Sequence, residues 1–161
     1  MRVLILMGSK NDLPVMEGAE QVLAELGIGY ETRVLSAHRT PDEAAELAKN
    51  AREWGFGVII AGAGMAAHLA GVMAALSELP VIGVPVGASF MGLDALLSTV
   101  QMPPGVPVAT VAVGKAGAKN AAWLAGRMLA LSDDALRARM ATAKQAMHDK
   151  VLADDEAVRS R

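Results

Sequence analysis

Five short, largely apolar runs, at residues 3–7, 30–35, 58–61, 81–84 and 108–113, constrain this chain more than any other feature. Longer stretches with helical periodicity separate them. Apolar runs without regular polar alternation suit strands buried on both faces, and such burial requires helices on either side of a parallel sheet. The pattern predicts an α/β fold: a three-layer αβα arrangement around a doubly wound, five-stranded parallel sheet. Right-handed crossovers restrict its topology, and the flavodoxin-like strand order 2-1-3-4-5 is the expected one. The 161 residues fit one catalytic domain spanning 1–161.

Helix boundaries carry their own signals. Asp12 is placed to cap the first helix, with Pro14 tolerated in its opening turn and Gly27 as its stop. Thr40-Pro41-Asp42-Glu43 reads as a capping box, Thr40 at the N-cap and Glu43 reaching back to it, and opens a helix that ends near Gly55. A third helix is expected over 65–76, rich in small residues that permit close packing. Residues 85–92 and 101–105 read as loops, the second because Pro103 and Pro104 cannot continue a helix. A further helical pattern covers 116–131. Ser132-Asp133-Asp134 then caps an extra C-terminal helix over about 133–152, followed by a charged tail. A sheet sandwich has no obvious place for that helix, so it is expected to pack on a neighbouring subunit.

Composition narrows the partners. Hydrophobic residues make up 53% of the chain while Phe, Trp and Tyr supply 3%, so the core must be aliphatic. Part of this apolar surface is expected in subunit contacts, which resemble a core cut in half. A net charge of −2, without Lys and Arg clustered beside aromatics, argues against a nucleic-acid surface and against a polybasic membrane patch. The first apolar run is too short to span a membrane. The absence of cysteine excludes disulfides, thiolate metal sites and a cysteine nucleophile, and it suits a reducing cytoplasm. Small molecules are the expected partners.

Three loops should meet at one edge of the sheet. Gly8-Ser9-Lys10-Asn11-Asp12 follows the first strand, Ser36-Ala37-His38-Arg39-Thr40 the second, and Gly62-Ala63-Gly64-Met65-Ala66-Ala67-His68 the third. In the order 2-1-3 these strands are neighbours, and the crevice between the first and third is the switch point where open α/β sheets bind ligands. Ser9, Asp12, His38, Arg39 and His68 are thereby candidates for one pocket. Each loop ends at a helix start, where free N–H groups and the helix dipole favour an anion. Gly8 and Ser9 allow a phosphate to approach closely, Arg39 could clamp it, and Gly62 and Gly64 allow a second approach of backbone to ligand. His38 is the acid–base candidate, because an imidazole titrates near neutral pH. His148 reads as a surface residue, and Lys115 and Lys119 as solvated helix-start residues whose spacing is not that of a phosphate-binding P-loop.

Other functions compete for the same fold. Gly62-x-Gly64-x-x-Ala67 is a loose dinucleotide fingerprint, but it follows the third strand and no acidic residue stands about 20 positions on. A non-enzymatic flavodoxin-like nucleotide- or flavin-binding module stays open, although few aromatics are available to stack on a flavin. A phospho-receiver module would need an aspartate where Gly62 and Ala63 stand, and a metal hydrolase would need more ligands than His38, His68 and Asp12.

In order and spacing, the loop motifs above, together with Gly83-Val84-Pro85-Val86, Val100-Gln101-Met102-Pro103 and Gly114-Lys115-Ala116-Gly117-Ala118, resemble class I of the bacterial N5-carboxyaminoimidazole ribonucleotide mutase (PurE) family. The match covers nearly the whole chain. The resemblance implies a step of purine biosynthesis that moves a carboxylate from the exocyclic nitrogen of an aminoimidazole ribonucleotide to ring carbon C4. It also implies a homo-octamer with sites at subunit interfaces, and neither a metal nor an organic cofactor. Carried over by position, His38 becomes the general acid–base. Gly8, Ser9 and Asp12 would hold the ribose 5-phosphate portion, Arg39 its phosphate, and Ser36, Ala37, Gly64 and His68 the remaining ligand or carbon dioxide. A sister branch carboxylates aminoimidazole ribonucleotide directly from carbon dioxide; Arg39 and Ala66-Ala67-His68-Leu69 favour the mutase. The sequence departs from the family pattern at Asn11, Leu13, Met65 and Ala70, where serine, tryptophan, glycine and proline are usual, and in the loop 87–92.

Overall fold

The computed structural model describes residues 1–87 and 89–161. Strands β1 (Arg2–Met7), β2 (Tyr30–Val34), β3 (Phe56–Gly64), β4 (Val81–Val86) and β5 (Ala109–Thr110) form one parallel sheet in the order β2-β1-β3-β4-β5, as expected. The helices are α1 (Leu13–Glu25), α2 (Pro41–Asn50), α3 (Leu69–Leu76), α4 (Leu93–Val100), α5 (Gly114–Leu129) and α6 (Asp134–Arg159).

The sheet is buried on both faces because its central strands are apolar at successive positions. In β1, Val3, Ile5 and Met7 enter one core with Met16 and Ala19 of α1 and Ala118, Ala121 and Ala122 of α5. Leu4 and Leu6 enter the opposite core with Ala44 and Leu47 of α2 and Leu69 and Met73 of α3. Each buried Val, Leu, Ile or Met among them contributes roughly 1.5–3 kcal/mol relative to exposure. Edge strand β2 departs from this pattern: Glu31 bonds Arg2 at 2.9 Å and Arg33 at 3.3 Å, charges that discourage pairing with a further strand.

Several boundaries differ from expectation. The strand expected over 108–113 contracts to Ala109–Thr110, since Pro107 has no N–H to pair and α5 already begins at Gly114. Helix α3 starts at Leu69, because β3 continues to Gly64 and Met65 takes a left-handed φ of 56° that no helix accommodates. Helix α6 runs past 152 to Arg159, supported by i,i+4 pairs Lys150–Asp154 at 2.7 Å and Asp155–Arg159 at 3.6 Å, with Asp133 capping the Leu136 N–H. Of the loop expected over 85–92, residues 85 and 86 belong to β4, Phe90–Gly92 form a 3-10 turn, and Ala88 lies outside the described residues.

Two of the three expected caps are used otherwise. Thr40 does stand at the N-cap of α2, but its hydroxyl accepts the Ser36 N–H at 2.8 Å and donates to the Ser36 carbonyl at 3.1 Å instead of binding the helix. Asp12 precedes α1 without capping it. Its carboxylate turns back to the Ser9 N–H at 3.1 Å while the Ser9 hydroxyl accepts from Asn11 N–H at 3.2 Å, a reciprocal box around the 3-10 turn Lys10–Asp12. In each case the side chain closes the loop that carries the site.

Candidate active site

A cleft of about 540 Å³ opens at the carboxyl ends of β1, β2 and β3. All nine side-chain and backbone positions expected there line it: Gly8, Ser9, Asp12, Ser36, Ala37, His38, Arg39, Gly64 and His68. The order β2-β1-β3 brings the three loops together, as parallel strands must deliver their following loops to one edge.

The turn after β2 is locked from within. The Ser36 hydroxyl accepts the backbone N–H groups of His38 at 3.3 Å and Arg39 at 3.2 Å, and Thr40 closes the turn on Ser36. With the backbone groups satisfied internally, the His38 and Arg39 side chains are free to project. Arg39 reaches across to the first loop, where Nη2 donates to the Gly8 carbonyl at 2.6 Å. His38 reaches towards the third loop, and its Nε2 lies 3.0 Å from Nδ1 of His68. The rings meet edge to face, centroids 5.0 Å apart at 80°.

Asp12 is the carboxylate of this cleft. Burial raises its carboxyl above the ordinary range, against the opposing pull of the Ser9 N–H and the Arg39 charge. A carboxylate, a guanidinium and two imidazoles therefore share one opening, while Ala37, Ala63, Ala66, Leu69 and Val86 make the rest of its wall largely apolar. Such a site can bind an anionic ligand at Arg39 and exchange protons through histidine beside an apolar surface.

Six lining residues were absent from the expected set, the wall residues Ala63, Ala66 and Leu69 together with Asn11, Met65 and Val86. Asn11 belongs to the first loop motif, and its place one residue before Asp12 was the available signal. Val86 enters because β4 ends beside β3, Val86 pairing with Gly64. Met65 holds its left-handed conformation at the rim, 64% exposed, with its carbonyl 3.4 Å from the Ser98 hydroxyl of α4. Lys115 and Lys119 lie along α1 against Gly18, away from the cleft, and His148 is exposed beside Asp149. A larger groove of about 790 Å³ between α5 and α6 carries Arg127, Arg137 and Lys144 but no histidine or carboxylate. Among the described residues no group of three His, Cys, Asp or Glu side chains converges as a metal site would require, and no helix is long and apolar enough to cross a membrane.

Comparisons with known proteins agree with this fold. The family model described as AIR carboxylase matches residues 2–150. A protein of Brucella melitensis named N5-carboxyaminoimidazole ribonucleotide mutase is 53% identical over 92% of this chain and 93% of its own length. One of the same name from Thermotoga maritima is 54% identical over 94% of this chain and 88% of its own. The crystal structure of Treponema denticola PurE superposes with a TM-score of 0.87 at 30% identity, covering 96% of both chains. The chain thus belongs to the AIR carboxylase family, in the company of its mutases, which are isomerases.

Proposed function

We propose that this protein converts N5-carboxyaminoimidazole ribonucleotide to its C4-carboxylated isomer in de novo purine biosynthesis, as a single catalytic domain working in the cytoplasm. The observation that carries the reading is the adjacency of His38 and Arg39 on one internally locked turn, which holds an acid–base group at a fixed offset from an anion-binding cation. Arg39 takes the 5-phosphate, assisted by Gly8 and Ser9; Asp12 accepts from the ribose hydroxyls. Ser36, Ala37, Gly64 and His68 surround the imidazole ring and the carboxylate.

The N-carboxylate leaves as carbon dioxide while the exocyclic nitrogen gains a proton from His38. C4 then attacks the retained carbon dioxide, and His38 removes the C4 proton. One imidazole serves both transfers because the two steps exchange a single proton in opposite directions. The apolar lining formed by Ala63, Ala66, Leu69 and Val86 offers carbon dioxide no hydrogen-bonding competitor, which supports its retention between steps.

Homo-octamer assembly belongs to the same reading. Support comes from α6, whose second half exposes Met147, Val151, Leu152 and Val158, and from the exposed apolar row Phe90, Leu93, Leu97 and Val100 beside the cleft. Surfaces of this kind suit contacts between copies.

The test supplies purified protein with substrate labelled in its carboxylate, in excess unlabelled carbon dioxide. Retention of label in the C4 carboxylate supports the mutase. Full exchange with the pool indicates direct carboxylation of aminoimidazole ribonucleotide, and absence of conversion returns the fold to a non-catalytic nucleotide-binding role.

A further inference from the structure

We propose that His68 is a positioning residue that fixes the tautomer of His38, so that His38 exchanges its proton with substrate through Nδ1 alone. This rests on the mutase reading and goes beyond the ligand contact that the family resemblance implies for His68.

The geometry starts from one short contact. His38 Nε2 and His68 Nδ1 are 3.0 Å apart, a hydrogen bond in which one nitrogen must donate and the other accept. Among the described residues, neither His38 Nδ1 nor His68 Nε2 has a protein partner. Nε2 of His38 is therefore occupied within the protein, and Nδ1 is the nitrogen left for chemistry. Asp12 and Arg39 are the other ionisable side chains lining this cleft. Asp12 is turned to the Ser9 N–H and Arg39 to the Gly8 carbonyl, so neither orients the imidazole.

The proton count then assigns the direction of the bond. His38 begins as imidazolium, Nε2–H donating to His68 Nδ1 and Nδ1–H facing the substrate. As the bond between the exocyclic nitrogen and the carboxylate carbon breaks, its electron pair stays on nitrogen, which takes the Nδ1 proton, and carbon dioxide departs. C4 next forms a bond to that carbon, and the C4 proton moves to Nδ1 while its bonding pair returns to the ring. His38 ends as it began. Throughout, Nε2–H stays on His38 and His68 Nδ1 accepts from it, so the lone pair reappears on Nδ1 after every donation. Without an acceptor at that place, neutral His38 would divide between two tautomers and its ring would lose its in-plane anchor.

His68 is exposed, and its side chain makes no cap bond to α3, so replacement does not endanger the fold. Two variants separate positioning from bulk. His68→Phe removes the acceptor, whereas His68→Asn places an amide oxygen near the position of Nδ1. His68→Phe is expected to lower kcat by about 100-fold, and His68→Asn to recover kcat to within about tenfold of the parent. In protein labelled with 15N-histidine and free of substrate, nitrogen–carbon correlation spectra should show neutral His38 as the Nε2–H form in the parent and in His68→Asn, and as a mixture in His68→Phe. Loss of less than tenfold in His68→Phe, no recovery in His68→Asn, or an unchanged single tautomer in His68→Phe overturns the assignment. If the parent itself fails to convert substrate, the mutase reading falls while the tautomer spectra still decide the role of His68.

Discussion

Gly64 lies so close to Val86 that a Cβ on it would stand 2.9 Å from the Val86 carbonyl oxygen. The two residues pair at the ends of β3 and β4, and both line the cleft. A backbone oxygen cannot rotate away as a side chain would, so Gly64→Ala must part the strand ends and carry Met65 and His68 with them. We expect a loss of about 1–3 kcal/mol in urea unfolding and of about 100-fold in kcat/KM. Parent-like values in both would show that the strand ends yield.

His38 presents an exposed side chain on an internally closed turn, so its removal should affect chemistry and not folding. His38→Asn is expected to lower kcat by about 100- to 10,000-fold, the range for losing a general acid–base, with an unchanged unfolding midpoint. Near-normal turnover, measured by product absorbance, would sink the assignment of His38.

Burial raises the Asp12 carboxyl above its ordinary range, so the folded protein binds that proton more tightly than the unfolded chain. The resulting stability is fully present below the ordinary carboxylate range and is lost as pH rises through the raised value. Asp12→Asn, which keeps an oxygen for the Ser9 N–H, should remove this dependence. Urea midpoints of parent and variant should diverge across that window in favour of the variant, while KM rises by about tenfold or more through the lost charged hydrogen bond. A variant less stable than the parent near neutral pH contradicts the sign.

Met65 occupies left-handed backbone at φ 56°, where a side chain costs roughly 1–2 kcal/mol, and it is 64% exposed, so its burial repays little. Met65→Gly removes that strain and adds chain entropy worth roughly 0.5–1 kcal/mol to the unfolded state. A net gain of up to about 1 kcal/mol is expected, read as a rise of a few degrees in unfolding temperature. A clear fall would show that Met65 is held by contacts other than those in this subunit.

Beyond Met140, α6 contributes no fully buried residue. Deleting residues 150–161 should therefore leave the unfolding free energy of the subunit within about 1 kcal/mol, as for surface changes generally, while lowering the sedimenting mass from that of the proposed octamer. An unchanged mass would mean that assembly uses other surfaces, the row on α4 being the first to examine.

Much of this arrangement was legible residue by residue. Val3, Leu4, Ile5, Leu6 and Met7 declare a strand covered on both sides, because no alternation remains to mark a wet face. Ser36, His38 and Arg39 pointed to the cleft by standing directly after a strand. Thr40 was misleading for a definite reason: its hydroxyl can satisfy the start of a helix or the turn before it, and local sequence does not distinguish the two. The helical continuation to Arg159 was hidden by the charge of the tail, since i,i+4 pairing looks like mere polarity until the helix is formed.

By itself the sequence determined which segments are strands and that three loops share one edge, because apolar periodicity and chain direction are properties of short stretches. Only the tertiary structure decided that Nε2 of His38 meets His68 and that Arg39 rests on Gly8. Those contacts join loops separated by entire helices, and their distances follow from how β1, β2 and β3 register and how each turn closes on itself. The turn at Ser36 is thus written locally, whereas the group its histidine meets is set by a residue on the far side of the cleft.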